Sequence, residues 1–264
     1  MPVLEQAGLR LNYLVEGRED APWLILSNSL GTTLQMWAPQ MPELLRHFRV
    51  LRYDTRGHGG SSVPAGPYTI DRLGGDVLAL MDALGVRRAH FCGLSMGGMT
   101  GIWMGVHQQQ RLDRLVLCNT AAQIGPASNW NARIEKVRGE GMEAIVLAVI
   151  ERWFTGGFAA RAPEKVDQVR AMLLGTDREG YVANCAAVRD MDQRDAVARI
   201  GVPTLVIAGT HDLATPAKDG KWLSQQIPGA RYLELDAAHL SNWEQPARFT
   251  DALTGFLLQE DRHG

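Results

Sequence analysis

Residues 91–99 read Phe-Cys-Gly-Leu-Ser-Met-Gly-Gly-Met, an apolar strand pattern that runs into Gly-x-Ser-x-Gly and then into a helix of small residues. A sharp strand-to-helix turn would expose the hydroxyl of Ser95, and glycine at positions 93 and 97 removes Cβ atoms that would clash there. The start of the helix adds free backbone N–H groups beside the hydroxyl. Because the spacing also occurs by chance in loops, it is the flanking strand and helix that favour a nucleophilic serine.

The composition is that of a globular protein, and 264 residues are enough to bury a sizeable apolar core. A formal net charge of −2 provides no basic field for nucleic acid or an anionic membrane. The N-terminus lacks the pattern of a signal peptide, and the most apolar run, residues 144–150, is too short to span a bilayer. Three cysteines in mostly apolar surroundings indicate free thiols in a reducing compartment, and no Cys/His spacing resembles a zinc site. We therefore expect a cytoplasmic protein without metal, nucleic-acid or membrane partners.

Strand and helix patterns alternate along the first part of the chain. An amphipathic helix is predicted from Ile70 to Leu84, with Gly85 as its C-cap. This alternation is typical of a parallel sheet with right-handed crossovers. Strands are predicted at residues 9–16, 23–27, 49–53, 90–93 and 114–118, and again at residues 204–209 and 230–235.

A long stretch without a strand pattern precedes the last two predicted strands. The sequence therefore predicts an α/β fold with a mostly parallel central sheet flanked by helices. We expect residues 1–121 and 196–264 to form its core and residues 122–195 to form an inserted helical lid. Helical patterns in this stretch cover residues 131–139, 141–154, 163–174 and 178–189, and a closing helix covers residues 246–258.

A serine nucleophile needs a base, and the base needs a carboxylate that orients it. Asp212 follows the predicted strand 204–209 and His239 follows the predicted strand 230–235, so both should emerge at the sheet edge that holds Ser95. Each also has a structural interpretation, since Asp212 could cap a helix and His239 could lie on an exposed loop. The adjacent histidine at position 211 is a rival base, although its place on the carboxylate loop favours a pocket or surface role.

Acyl transfer also needs two backbone N–H donors that form an oxyanion hole. We assign one to Met96, which follows the nucleophile, and the other to Leu30, in the loop after the strand 23–27. A further turn-rich loop covers residues 54–61, where Asp54 and Arg56 are expected to hold the loop by charge-assisted hydrogen bonds. No catalytic role is expected for the histidine at position 58.

Together, these motifs resemble those of the α/β-hydrolase superfamily over essentially the whole chain. The matching segments are the elbow at 93–97, the Asp-Thr-Arg-Gly-His-Gly loop at 54–59, the carboxylate loop at 209–216 and the histidine loop that ends at 243–246. Shorter segments resemble the 3-oxoadipate enol-lactonases of the protocatechuate branch of the β-ketoadipate pathway. Most relatives carry His-Gly where this chain has Ser-Leu at positions 29 and 30. The segments are residues 26–32 with Met36 and Trp37, 119–125, 130–134 and 151–155.

The resemblance implies an α/β-hydrolase fold and hydrolysis of a small anionic lactone, a five-membered enol-lactone with an acetate side chain. Ser95 would attack the lactone carbonyl, His239 would take its proton, and Asp212 would fix the imidazole tautomer. The ring would open with an enolate leaving group that ends as a ketone, and water activated by His239 would then release 3-oxoadipate. No cofactor is required, and a homo-oligomer is compatible with the sequence.

Arg133 is the predicted partner of the substrate carboxylate, because an unpaired buried anion is costly and a guanidinium binds a carboxylate with two hydrogen bonds. It could instead be an exposed helix arginine or pair with a lid glutamate. Trp130, Trp153 and Trp37 are expected to line the pocket, although tryptophans in a lid also serve plain packing.

Two other functions are compatible with the same triad. One is a carboxylesterase or a carbon–carbon bond hydrolase that acts on a ring-cleavage dienoate. The other is a ligand receptor that keeps the fold with little or no turnover. A dehalogenase is disfavoured, because the nucleophile position holds Ser95 and not an aspartate.

Overall fold

The computed structural model describes residues 2–6 and 8–259, and a mixed sheet of eight strands runs through its centre. The strands are β1 (Val3–Gln6), β2 (Leu9–Glu16), β3 (Trp23–Ser27), β4 (Arg49–Tyr53), β5 (Ala89–Leu94), β6 (Leu112–Cys118), β7 (Thr204–Gly209) and β8 (Arg231–Leu235). They lie in the order β1-β2-β4-β3-β5-β6-β7-β8. Strands β3 to β8 pair with one another in parallel, whereas β2 pairs antiparallel with both β1 and β4. The predicted α/β class is therefore confirmed.

Helices cover the sheet and also fill the connection between β6 and β7. Five of them, α4 to α8, lie in that connection, and we call them the helical insertion. In chain order the helices are α1 (Met41–His47), α2 (Ile70–Ala83), α3 (Met96–His107), α4 (Ala127–Glu140), α5 (Glu143–Trp153), α6 (Gly156–Arg161), α7 (Pro163–Leu174), α8 (Arg178–Asp190), α9 (Ala217–Gln226), α10 (Ser241–Glu244) and α11 (Pro246–Leu257).

The apolar core lies on both faces of the sheet, because successive side chains of a strand point to opposite faces. In β3, Leu24 and Leu26 join a cluster with α1, α11 and the helical insertion, whereas Ile25 joins a second cluster with α2 and α9. All three leucine and isoleucine side chains are fully buried. The parallel strands are therefore apolar on both sides, as their near-continuous hydrophobic patterns indicate.

All seven predicted strands are present, with each end within two residues of its predicted position. The sequence patterns do not predict β1, which has only four residues, or α6, which begins with Gly156 and Gly157 and so has low helix propensity. The division into a core and a lid stays a prediction, although the helical insertion occupies the predicted segment. None of the helices in the described residues combines the length and the apolar character that a membrane span requires.

Candidate active site

Ser95 joins β5 to α3 in a backbone conformation that non-glycine residues rarely adopt, with φ at 57° and ψ at −117°. Neighbouring strand β6 holds this turn in place. The Ser95 N–H donates to the Cys118 carbonyl at 2.9 Å, and the Thr120 hydroxyl donates to the Ser95 carbonyl at 2.7 Å. The strained turn is therefore fixed by hydrogen bonds to the backbone of Ser95, which leaves the side chain of the serine free for chemistry.

The turn closes so tightly that only glycine fits two residues before and two residues after the serine. A Cβ atom at position 97 would lie 2.1 Å from the Ser27 carbonyl oxygen, and one at position 93 would lie 2.1 Å from the Gly97 carbonyl oxygen. Both contacts involve backbone atoms, which cannot move aside as a flexible side chain can. The prediction that Gly93 and Gly97 make room for the turn is confirmed.

Asp212 and His239 come together at the carboxyl ends of β7 and β8. Nδ1 of His239 donates to Oδ2 of Asp212 at 2.8 Å, and both side chains are almost completely buried. This bond leaves Nε2 as the ring nitrogen that is available to a substrate or to a serine. The neighbouring His211 pairs instead with Asp236 in an exposed position, so it does not compete for the same carboxylate.

The Asp212 carboxylate accepts several further hydrogen bonds. Oδ2 accepts from Asn119 Nδ2 at 3.0 Å and from the Thr215 hydroxyl at 2.8 Å, and Oδ1 accepts from the N–H groups of Ala214 at 2.7 Å and Thr215 at 2.9 Å. Burial alone raises the pKa of Asp212, but His239 and these donors outweigh burial and leave the pKa below its ordinary value. The carboxylate therefore remains ionised beside the imidazole.

Asn119 is a site residue that the sequence patterns do not single out. It follows β6 with a φ of 44°, and its side-chain oxygen accepts from the Ser241 hydroxyl at 2.6 Å while its amide donates to Asp212. Its position at the carboxyl end of a strand next to β7 is the signal that points to it. Asn119 thus links the Asp212 loop to the loop that carries His239.

Ser95 and His239 line the same cavity, whose volume is about 430 Å³. Among the described residues, the Ser95 hydroxyl makes no hydrogen bond to the imidazole, although the two side chains share this space. Catalytic hydrogen bonds are often long without substrate and tighten when it binds. Trp153 stacks on the His239 ring, with centroids 6.5 Å apart and planes tilted by 24°, and also lines the cavity.

Leu30 and Met96 both line the cavity, and their backbone N–H groups have no hydrogen-bond acceptor among the residues that the structure describes. Met96 is the first residue of α3, where an N–H has no partner within the helix. In the loop after β3, by contrast, Ser29 N–H donates to Met36 Sδ and Gly31 N–H donates to His58. Two residues with unsatisfied N–H donors therefore line the cavity that also contains the serine.

The charged side chains that line the cavity are two arginines, Arg133 and Arg152, and no carboxylate contributes to the described lining. The Arg133 guanidinium lies 4.8 Å from the ring centroid of Trp130, which also lines the cavity. Within the described ranges, Arg133 has no acidic partner, whereas Glu135 pairs with Arg138. An anion that entered the cavity would therefore find an available guanidinium.

Comparison with known proteins agrees with this arrangement. A family model described as the alpha/beta hydrolase fold matches residues 22–140. The 3-oxoadipate enol-lactonase 2 of Acinetobacter baylyi is 45% identical to this chain over 94% of its residues and 92% of the relative. The crystal structure of the enol-lactonase from Burkholderia xenovorans LB400 has a TM-score of 0.96 and 51% identity, and the match covers 98% of this chain and 100% of that one. The chain belongs to the α/β-hydrolase family.

Another solved α/β hydrolase extends the comparison beyond lactones. A thermophilic esterase from Thermogutta terrifontis, solved with malate bound, has a TM-score of 0.90 and 29% identity to this hydrolase. The match covers 97% of this chain and 96% of the esterase. The fold is thus shared between proteins named for lactone and for ester substrates, so the fold alone does not determine which substrate is used.

Trp37, which is a predicted pocket residue of this hydrolase, lies in the apolar core. Trp37 is fully buried, donates from its indole nitrogen to Asn28 Oδ1 at 2.9 Å and packs against Phe249 of α11. It is not among the residues that line the cavity. The expectation that Trp37 contacts substrate is therefore wrong, because α11 packs over it and makes it part of the core. In the described part of the chain, no cluster of three His, Cys, Asp or Glu side chains could hold a metal ion.

Proposed function

We propose that this hydrolase opens the ring of 3-oxoadipate enol-lactone to give 3-oxoadipate, through an acyl-enzyme on Ser95. The observation that carries the proposal is a cavity that combines Ser95 and His239 with Arg133, which has no acidic partner among the described residues, and no carboxylate in its described lining. The enol-lactonases among its relatives support the choice of a lactone. A small lactone with one carboxylate matches both the reactive groups and the charge of this cavity.

In the first step, the Ser95 oxygen bonds to the lactone carbonyl carbon while His239 Nε2 takes the hydroxyl proton. The carbonyl oxygen becomes an oxyanion, which the N–H groups of Leu30 and Met96 stabilise. The bond between that carbon and the ring oxygen then breaks, and the ring oxygen leaves as an enolate. The enolate takes the proton from His239 Nε2 and becomes a ketone, so Nε2 is again free to accept a proton. Ketone formation makes ring opening one-way.

In the second step, water attacks the acyl carbon and gives up a proton to His239 Nε2. The bond to the Ser95 oxygen breaks as that oxygen takes the proton back, and 3-oxoadipate is released. Asp212 does not take a proton in either step, but it keeps Nδ1 protonated and stabilises the imidazolium. The mechanism uses only these side chains and water.

The carboxylate of the acetate side chain binds Arg133 in this proposal. A guanidinium beside an indole ring is held in place and partly shielded from water, which strengthens its interaction with an anion. Trp130 and Trp153 form walls of the cavity, and Trp153 in addition keeps the His239 ring in its plane. We place the reaction in the cytoplasm, in keeping with the three free and buried cysteines.

The decisive experiment follows the disappearance of the enol-lactone by ultraviolet absorbance with the purified protein, and identifies the product by mass. The expected result is rapid formation of 3-oxoadipate that Ser95→Ala abolishes. A panel of p-nitrophenyl esters, some neutral and some with a free carboxylate, is tested in parallel. A strong preference for long neutral acyl groups would favour a carboxylesterase, and one structural relative is named an esterase. Lactone binding without turnover by the unmodified protein would indicate a receptor.

A further inference from the structure

His58 is a buried histidine that the proposed reaction does not use. It lies in the loop after β4, is 1% exposed, and contacts the loop after β3, which we call the oxyanion loop (residues 28–32). A fully buried imidazole has to satisfy both of its nitrogens, because an unpaired polar group in the core is costly. The partners of this ring therefore indicate what it does.

The two ring nitrogens have defined roles. The Gly31 N–H donates to Nε2 at 2.8 Å, so Nε2 carries no proton. The proton is then on Nδ1, which lies 3.3 Å from the Arg56 carbonyl oxygen and can donate to it. Burial lowers the pKa of His58 to about 4, which keeps the ring neutral and able to accept at Nε2.

In the oxyanion loop, the N–H groups of the residues on either side of Leu30 have hydrogen-bond acceptors. Ser29 N–H donates to Met36 Sδ at 3.2 Å, and Gly31 N–H donates to His58. The Leu30 N–H between them has no acceptor within the described residues, and Leu30 lines the cavity. These two bonds hold the peptide groups before and after the one that carries the Leu30 N–H, and the Ser29 carbonyl of that middle peptide accepts from the Thr32 hydroxyl at 2.8 Å. The orientation of the Leu30 N–H therefore depends on these contacts.

We propose that His58 is a positioning residue for the oxyanion hole, in that Nε2 holds the Gly31 peptide so that the adjacent Leu30 N–H faces the cavity. This inference rests on the proposed acyl transfer at Ser95, although not on which ester or lactone is cleaved. His58 touches no reacting atom and acts only through the backbone of the oxyanion loop.

The loop of His58 is itself held by α8 of the helical insertion. Asn184 Nδ2 donates to the Arg56 carbonyl and to the Gly180 carbonyl, each at 2.8 Å. A Cβ atom on Gly57 would lie 2.7 Å from Gly180 Cα, so the loop and the helix pack backbone against backbone. His58 is thus fixed between α8 and the oxyanion loop, and the helical insertion contributes to the geometry of the oxyanion hole through it.

The test compares two variants that each keep one half of the imidazole. His58→Gln places an acceptor near the position of Nε2, whereas His58→Asn keeps only a group near Nδ1. Both are assayed for kcat and KM on the enol-lactone and on p-nitrophenyl acetate, and for inhibition by a boronic acid, which forms a tetrahedral adduct with Ser95. We expect His58→Asn to lower kcat about 10- to 100-fold and to weaken boronate inhibition in parallel, with KM nearly unchanged. We expect His58→Gln to recover most of both losses.

A control variant separates positioning from general loosening of the loop. Ser61 is buried in the same loop, donates to the Asp54 carbonyl at 2.6 Å and has no contact with the oxyanion loop among its hydrogen bonds. We expect Ser61→Ala to lower the melting temperature without a change in boronate affinity. Equal kcat values for His58→Gln and His58→Asn, or the same loss of boronate affinity in Ser61→Ala, would overturn the proposal.

A measurement on the unmodified protein covers the case in which the Asn variant does not fold. The imidazole ¹⁵N shifts of His58 should report an unprotonated Nε2 and a protonated Nδ1, and a protonated Nε2 would refute the proposal. Activity on p-nitrophenyl acetate distinguishes a failure of the proposed substrate from a failure of the proposed role of His58. If p-nitrophenyl acetate is cleaved in a Ser95-dependent way but the enol-lactone is not, the proposed substrate is wrong while the role of His58 is still tested.

Discussion

Asp212 Oδ2 lies 2.8 Å from Nδ1 of His239, and neither side chain is exposed by more than a few per cent. Because the carboxylate is held by its own set of donors, it does not depend on the imidazole for its position. The carboxylate therefore determines the tautomer of the ring, and not the reverse. A second His–Asp pair on the same two loops, His211 with Asp236, has the same 2.8 Å contact but is exposed to solvent.

The two His–Asp pairs give a matched test of the catalytic assignment. Asp212→Asn keeps the shape of the side chain but stabilises the wrong tautomer of His239, so we expect kcat to fall by about 10³- to 10⁴-fold. Asp236→Asn, which alters the exposed pair, should leave kcat within about twofold of the original value. Steady-state kinetics on the enol-lactone measure both. A comparable loss in Asp236→Asn would transfer the role of base to His211.

Arg133 is expected to act in binding more than in the chemical step. Arg133→Ala removes a charge-assisted contact to the substrate carboxylate, so KM should rise about 10- to 100-fold with a smaller change in kcat. Arg138→Ala, on the same helix, breaks only a solvent-exposed pair with Glu135 and should have little effect on KM. A neutral ester is the internal control, because its KM should not respond to Arg133→Ala. An unchanged KM for the lactone would contradict the binding assignment.

Two glycine-to-alanine substitutions, one in the elbow and one in α2, should have opposite effects on the free energy of unfolding. Gly97→Ala would force its Cβ to within 2.1 Å of the Ser27 carbonyl oxygen, and we expect it to lower the free energy of unfolding by about 3 kcal/mol or more. Gly75 lies inside α2 with no atom near the site of an added Cβ. Gly75→Ala should therefore stabilise the protein by about 0.5–1 kcal/mol, as expected from helix propensity. Urea denaturation measures both, and a destabilising Gly75→Ala would show that the propensity argument fails here.

Much of the site follows from patterns that are local in the sequence. Strand periodicity places Asp212 and His239 after β7 and β8, and parallel pairing then brings the carboxyl ends of those strands to one edge. The glycines at the elbow are equally local, because the turn itself excludes side chains. The family resemblance adds the substrate class, which neither periodicity nor spacing contains.

The remaining features depend on packing between distant segments, which local patterns do not encode. The sequence predicts the same role in the pocket for Trp37 and Trp153, but α11 covers Trp37 while Trp153 stacks on His239. The role of Asn119 becomes visible only when β6 and β7 are neighbours, so that its amide reaches Asp212. Likewise, His58 gains its partner only because the loops after β3 and β4 meet.

The buried neutral state of His58 also predicts how stability depends on pH. Burial is the main cause of the lowered pKa, and the Arg56 carbonyl and the Asp54 charge oppose it only in part. The folded pKa is about 4 against an ordinary value of 6.5, so between these values the unfolded chain binds a proton that the folded protein does not. Stability from this group is therefore fully present above pH 6.5 and is lost as the pH falls towards 4.

The expected size of this effect is up to about 3 kcal/mol, from about 1.4 kcal/mol for each pH unit between the two pKa values. Urea denaturation at pH 7, 6, 5 and 4 should show it as a difference between the original protein and His58→Gln, which has no proton to bind at this position. The carboxylates titrate in both proteins, so their contributions cancel in the difference. A difference that stays constant from pH 7 to pH 4 would mean that folded His58 can take up a proton, and its Nε2 could then not be held as an acceptor for Gly31.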